Sequence, residues 1–157
     1  MAALLAPSKL FPLPQPGSPE SLWRFSSKEI PGREYMNPRT LRLLDRMREA
    51  DGDRMGWHFV VLHATRAPTA GFSYHTRGLA VDGVMVDNLT REPLPLIQQY
   101  HIASRWPWTG IGLYPYWSTP GLHLDTRPCR PLERRSRWYR NEAGEYRPIE
   151  EFLNPYE

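Results

Sequence analysis

Runs of apolar residues divide the chain into short elements, and several of them have the character of β-strands. Residues 57–65, WHFVVLHAT, are rich in β-branched and apolar side chains and predict a buried strand. Three later runs are similar, although shorter, and each is bounded by turn residues. They predict strands over residues 79–86, 110–114 and 122–126, and a hairpin is predicted where 136–140 and 145–147 flank the turn at 141–144.

Helical periodicity is confined to a smaller part of the chain. Leu41, Leu44 and Met47 recur at the spacing of one helix face, after Asn37 as an N-cap and Pro38 in the first turn. Asp51-Gly52 is expected to end this helix, and residues 93–104 predict a second, short one. Strands and helices together predict a small α+β domain, an antiparallel sheet with a few flanking helices.

Composition sets the domain boundaries. The length of 157 residues predicts one domain, and 17 prolines with 11 glycines favour many turns. Five of the prolines fall before residue 20, so residues 1–22 are predicted to form a Pro-rich extended arm and residues 23–157 the folded domain. Cys129 is the one cysteine, so no internal disulfide is expected.

Charge and hydropathy narrow the range of partners. The net charge is only +3, and six arginines concentrate in residues 127–140, where a solvated surface is the simplest interpretation. Since no nucleic-acid-binding motif accompanies them, nucleic acid is not expected as a partner. No run reaches transmembrane length, and the first residues lack the basic segment of an export signal. We therefore expect synthesis in the cytoplasm, with action elsewhere only after release.

Three separated residues supply a candidate metal site. His75 lies in a predicted loop, Asp82 seven positions later in the following strand, and His123 in a distant strand. A catalytic zinc takes three nitrogen or oxygen ligands and leaves one position open for water. Gly78 would allow the loop to fold back toward the strand. On spacing alone, packed and hydrogen-bonded polar side chains are the more common explanation of such residues, and a metal site is the alternative.

Four ordered motifs resemble one family. Ser73 to Asp82, SYHTRGLAVD, resembles the S-x-H-x-x-G-x-A-x-D signature of the zinc D-Ala-D-Ala carboxypeptidases, a group joined with lysostaphin-type peptidases and hedgehog domains in one superfamily. The later part of this chain is similar to the branch that contains murein endopeptidase K. That branch has a G-x-G-x-Y-P segment, then H-x-D-T-G, then a closing Arg-Trp. The matching segments here are GIGLYP at 110–115, HLDT at 123–126 and Arg137-Trp138. The resemblance covers about residues 25–138.

The resemblance implies a zinc peptidase that hydrolyses peptides or cross-links of bacterial peptidoglycan, on a hedgehog/D-Ala-D-Ala-peptidase-like fold. It implies zinc ligands at His75, Asp82 and His123. Arg66 matches an arginine that binds the substrate carboxylate or polarises the scissile carbonyl. Along the substrate groove we expect Ser73, which matches the signature serine, together with Tyr114 and Trp117.

The position of the general base departs from the superfamily. Much of the superfamily has an acid three positions before the last histidine, and this chain has Pro120 there. Asp125 is the best substitute, because residues two apart in a strand face the same way and Asp125 therefore lies beside His123. It would act catalytically by taking a proton from water, or it would hold the ligand histidine in place. The sequence leaves both roles open.

Two functions follow as expectations. The first is a zinc peptidase acting at the bacterial cell wall, as a bacteriophage endolysin released by a holin or as a wall-degrading part of a virion. The second is a non-catalytic module on the same fold, which binds peptidoglycan or serves as a virion structural component. Pro120 motivates the second because it stands at the usual position of the general base, and the Pro-rich arm motivates it because such an arm could dock on a partner.

Overall fold

The computed structural model describes residues 25–26, 28–65, 73–128 and 135–154, and the predicted arm at 1–22 lies outside them. Six strands form one sheet in the order β1-β2-β4-β3-β5-β6. Their bounds are β1 Trp57–His63, β2 Ala80–Asp87, β3 Gly110–Tyr114, β4 Gly121–Asp125, β5 Ser136–Arg140 and β6 Tyr146–Pro148. The helices are α1 Pro38–Met47, α2 Asp53–Met55, α3 Leu96–Ser104 and α4 Ile149–Leu153. The predicted small α+β domain is confirmed.

The sheet is mixed, which corrects the prediction of an antiparallel one. Neighbouring strands in the described part of the chain run antiparallel except for β3 and β5, which are parallel. Residues 126–135 connect β4 to β5, and β5 lies beside β3 and runs in the same direction as β3. The predicted hairpin is confirmed, since β5 and β6 pair antiparallel with Trp138 opposite Pro148.

Helix α1 begins as predicted, and the helical path continues beyond the predicted end. The Asn37 side chain accepts a hydrogen bond from the Arg39 amide (2.9 Å), and Pro38 occupies the first helical position. Instead of ending at Asp51-Gly52, the helical path continues through a π-helical turn, Arg48–Gly52, and through α2 to Gly56, whose φ is 78°. Gly52 stays helical because its missing side chain lets it pack on the next strand: a Cβ there would lie 2.7 Å from the Trp57 carbonyl oxygen.

The core lies on one face of the sheet. Alternate residues of the central strands are fully buried there, and α1 and α3 cover them with their own apolar side chains. The buried strand residues are Val81, Met85, Ile111, Leu113, Leu122 and Leu124. The opposite face of the same strands carries Asp82, His123 and Asp125, together with the buried apolar residues Ala80 and Val84. Within the described residues, every helix is too short or too polar to cross a bilayer.

Candidate metal centre

The site is built on a row of residues that crosses four strands. Asp82 of β2 pairs with His123 of β4, which pairs with Gly112 of β3, which pairs with Trp138 of β5. Paired residues point to the same side of a sheet, so this row faces away from the core. The alternation in the sequence therefore places two of the three predicted ligands side by side.

The third ligand reaches the row from the loop before β2. A turn over residues 74–78 carries His75, and the Ser73 hydroxyl accepts a hydrogen bond from the His75 amide (3.2 Å). Gly78 closes the turn at φ 67°, where a Cβ would lie 2.4 Å from the Tyr35 carbonyl oxygen. Its own carbonyl accepts from the Asn37 amide (2.9 Å). The predicted need for glycine at this position is explained by both the positive φ and the close approach of the chain before α1.

Three ligand atoms converge in a buried cluster. His123 Nδ1 lies 2.8 Å from Asp82 Oδ1, His75 Nε2 lies 3.2 Å from the same oxygen, and the two nitrogens are 3.2 Å apart. All three residues are buried and can together hold a metal ion. Donors bound to one tetrahedral zinc at about 2.0–2.1 Å would be about 3.3 Å apart, so the donor set fits that ion with small adjustments.

The far side of each histidine is held by an oxygen. His75 Nδ1 lies 2.7 Å from the Ala64 carbonyl oxygen, and His123 Nε2 lies 3.0 Å from Asp125 Oδ2. A carbonyl can only accept, so His75 Nδ1 carries a proton, and a metal bound at the cluster would be held by Nε2. Oxygen partners of this kind fix the tautomer and the ring orientation of metal-binding histidines.

Asp125 is fully buried beside the cluster, in space that β3 leaves open. A Cβ on Gly110, its partner in β3, would lie 2.2 Å from Asp125 Oδ2. The carboxylate receives hydrogen bonds from His123 and from the Arg127 side chain, whose Nε lies 2.9 Å from Oδ1. It thus contacts the nitrogen of His123 that points away from the other two ligand atoms. Of the two roles left open by the sequence, these contacts favour orientation of His123.

The electrostatics of the metal-free cluster favour charged carboxylates. Burial alone would raise the pKa of Asp82, but hydrogen bonds from His123 and His75 outweigh it and lower that pKa to about 2. Burial is likewise outweighed at Asp125, whose pKa is lowered to about 2 by His123 and Arg127. Burial opposes protonation of His123, yet its two carboxylate partners raise its pKa. The cluster thus favours charged Asp82 and Asp125, with His123 as the cation between them. Such an arrangement is suited to receive a metal cation.

Aromatic side chains form a wall on the β3 and β5 side of the cluster. Trp138 lies over Gly112, where a Cβ would be 2.5 Å from the indole, and its ring centroid is 5.4 Å from that of His123. Tyr114 and Trp117 stack with centroids 4.2 Å apart. Burial raises the pKa of Tyr114, and the charges of Tyr146 and Asp82 add to the effect. The predicted groove residues of β3 and its following loop are therefore adjacent to the cluster.

One predicted site residue falls outside the described part of the chain. Arg66 falls in residues 66–72, which are not among those the structure describes. Pro120 is exposed at the start of β4. Trp108 is fully buried in the core.

Arg127 is a site residue that the sequence interpretation missed. It was grouped with the arginine-rich stretch and expected on a solvated surface, but it is half-buried against Asp125. The informative signal was its position, two residues after Asp125 on the strand that carries a ligand.

Comparison of the chain with models of protein families, with curated proteins and with solved structures finds no match in any of the three.

Proposed function

We propose that this chain is a zinc-dependent peptidase that hydrolyses peptide bonds of bacterial peptidoglycan. The observation that carries the proposal is the cluster of His75 Nε2, Asp82 Oδ1 and His123 Nδ1, three buried donors within 3.2 Å of one another. Two histidines and one carboxylate form the donor set of a catalytic zinc with an open position. The ordered motifs around these residues support peptidoglycan as the substrate class.

Each residue of the site would have a separate task. Zinc, when bound, would activate water and polarise the scissile carbonyl. His75 and His123 would hold the ion with nitrogens that Ala64 and Asp125 keep in orientation. The stack of Tyr114 and Trp117 would bind the peptide beside the cluster. Arg66 would bind a substrate carboxylate, as the family resemblance implies.

The proton-transfer group is the open step of this mechanism. Asp125 has its oxygens engaged by His123 and Arg127, and Pro120 has no titratable group. Asp125 therefore serves best as the orienting partner of His123. These contacts also favour the second candidate, a non-catalytic peptidoglycan-binding or virion module that retains the metal cluster.

One experiment separates the two candidates. The purified protein, loaded with zinc, is incubated with murein sacculi and with defined muropeptides, and the products are identified by mass spectrometry with and without chelator. The peptidase predicts chelator-sensitive products whose masses identify the scissile bond. His75→Ala should abolish them while the circular dichroism spectrum is kept. Zinc binding and sacculus binding without any product would contradict the peptidase and support the module.

The place of action belongs to the same proposal. A bacteriophage endolysin released by a holin, or a wall-degrading virion component, would bring such a peptidase to the cell wall. Expression with and without a holin in a bacterial host tests this step. Lysis that depends on both the holin and His75 would support the endolysin; zinc-dependent activity found only in assembled particles would support the virion component.

A further inference from the structure

Arg127 makes an unusually complete set of contacts for a residue outside the ligand cluster. It stands where the resembling branch has glycine, after the H-x-D-T segment. Its Nε lies 2.9 Å from Oδ1 and 3.0 Å from Oδ2 of Asp125, its Nη2 contacts Oδ2, and its own amide donates to Oδ1 (3.0 Å). One residue therefore grips the carboxylate from both its side chain and its main chain.

The guanidinium also joins three elements of the site. It lies 4.3 Å from the ring centroid of Tyr74 and 4.9 Å from that of Trp138. Tyr74 is the neighbour of His75 in the loop, and Trp138 lies beside His123. Contact with both rings ties the ligand loop and β5 to the strand that carries His123. A planar cation is needed for this, because an ammonium can neither fork onto a carboxylate nor stack on an aromatic face in the same way.

The buried position of Asp125 makes this grip consequential. Its carboxylate is fully buried, and its side-chain partners are His123 on one oxygen and Arg127 on both. A buried anion that loses one of two charged partners either moves toward water or reorganises its remaining contact. In this site the remaining contact is the one that orients His123.

We propose that Arg127 is a positioning residue of the metal centre, which locks Asp125 onto His123 Nε2 and, through Tyr74, holds the loop of His75 against β4. Both histidines then present their ligating nitrogens at a fixed separation before a metal arrives. The proposal rests on the metal site described under Proposed function, and it adds a residue that belongs to this chain rather than to the motif it resembles.

Metal affinity provides the first test. Zinc dissociation constants are measured by competition with a chromophoric chelator for the wild type, Arg127→Lys and Arg127→Gln, and the cobalt-substituted proteins are compared by visible absorption. We expect zinc to bind about tenfold or more weakly in both variants, as for other outer partners of metal ligands, with an altered cobalt spectrum. The matched control is Arg105→Lys, which changes another arginine–aspartate pair, between Arg105 just after α3 and Asp51 (3.1 Å). It should leave both readouts unchanged.

Proton NMR of the metal-free protein provides the second test. The proton on His123 Nε2, hydrogen-bonded to Asp125, should give a low-field resonance in the wild type and in Arg105→Lys. This resonance should be absent from the spectra of both Arg127 variants. A merely structural role would lower the melting temperature and leave this resonance in place. Wild-type zinc affinity with an unchanged resonance in Arg127→Lys would overturn the proposal. Failure of the wild type to bind zinc would overturn the proposed function, while the resonance still decides the role of Arg127.

Discussion

The two faces of the central strands differ in composition although the same three strands form both. On one face Val81, Leu124 and Ile111 form a row that is fully buried and apolar. In the adjacent row, shifted by one residue, Asp82 and His123 lie beside Gly112. The apolar row stabilises the fold by removing hydrocarbon from water, whereas the polar row depends on specific partners for each donor and acceptor.

The comparison shows how a small sheet supports a polar cluster. The glycines of β3 keep the site face open, since side chains at 110 and 112 would collide with Asp125 and Trp138. Bulky residues at 111 and 113, by contrast, fill the core face. Small and large residues alternate in this strand because one face needs space and the other needs packing.

The largest expected effect lies on the core face. Leu124→Ala should lower the free energy of unfolding by about 2–5 kcal/mol, because it leaves a cavity at a fully buried position. Urea denaturation of the metal-free protein measures this, and Leu124→Met, which conserves volume, should change it by less than about 1.5 kcal/mol. Zinc affinity of the folded Leu124→Ala protein should be close to wild type, because the side chain points away from the cluster. A large loss of zinc affinity would contradict the conclusion that the core face and the site face act independently.

Gly112→Ala should come next, with a loss of about 1–3 kcal/mol in the free energy of unfolding. The added Cβ would lie 2.5 Å from the Trp138 indole and force that ring away from His123. A double-mutant cycle with Trp138→Leu sharpens the test, because the smaller side chain should relieve most of the penalty. Equal penalties in both backgrounds would mean that Gly112 is needed for some other reason. Denaturation curves of the four proteins supply the comparison.

Asp125→Asn should weaken zinc binding about 10- to 100-fold, or about 1.4–2.7 kcal/mol, because His123 loses its charged partner. Chelator competition measures the dissociation constant, and Glu151→Gln, in an exposed pair with Arg147, is the control. If zinc affinity is kept while turnover is lost, Asp125 is the general base after all. The variant therefore decides between the two roles that the sequence left open.

The smallest effect is expected at the rim of the site face. Trp117→Ala removes the ring stacked on Tyr114 and should raise the Michaelis constant for a muropeptide about 2- to 10-fold, with little change in turnover or stability. Tyr116→Ala is the matched control. Tyr116 precedes Trp117 in the sequence and is 61% exposed, so its replacement should have little effect. Equal effects of the two substitutions would remove Trp117 from the predicted groove.

Local patterns predicted the elements and their contents well. Hydrophobic alternation located β1 to β4 within about two residues, which is the usual precision at strand ends. The three donors were expected from the family resemblance, since spacing alone left them open, and the structure brings them together. Asn37 and Pro38 marked the start of α1 because capping is decided by neighbouring residues.

Features that depend on distant contacts were not predictable in the same way. The parallel pairing of β3 with β5 joins segments more than twenty residues apart, and no local pattern specifies it. The late end of the first helix depends on Gly52 packing against Trp57. The role of Arg127 required knowing that Tyr74 and Trp138 flank the same point in space.

Because Asp82 and His123 are paired across β2 and β4, metal binding at this pair would also depend on the alignment of these two strands. If β4 slid by one residue against β2, His123 would turn into the core and a leucine would take its place in the row. To bury the same number of leucines, such a misaligned chain would have to expose others. It would also lack the pair formed by Asp82 and His123. Under the proposed function, metal uptake during refolding would therefore measure the fraction of molecules whose sheet has assembled in register.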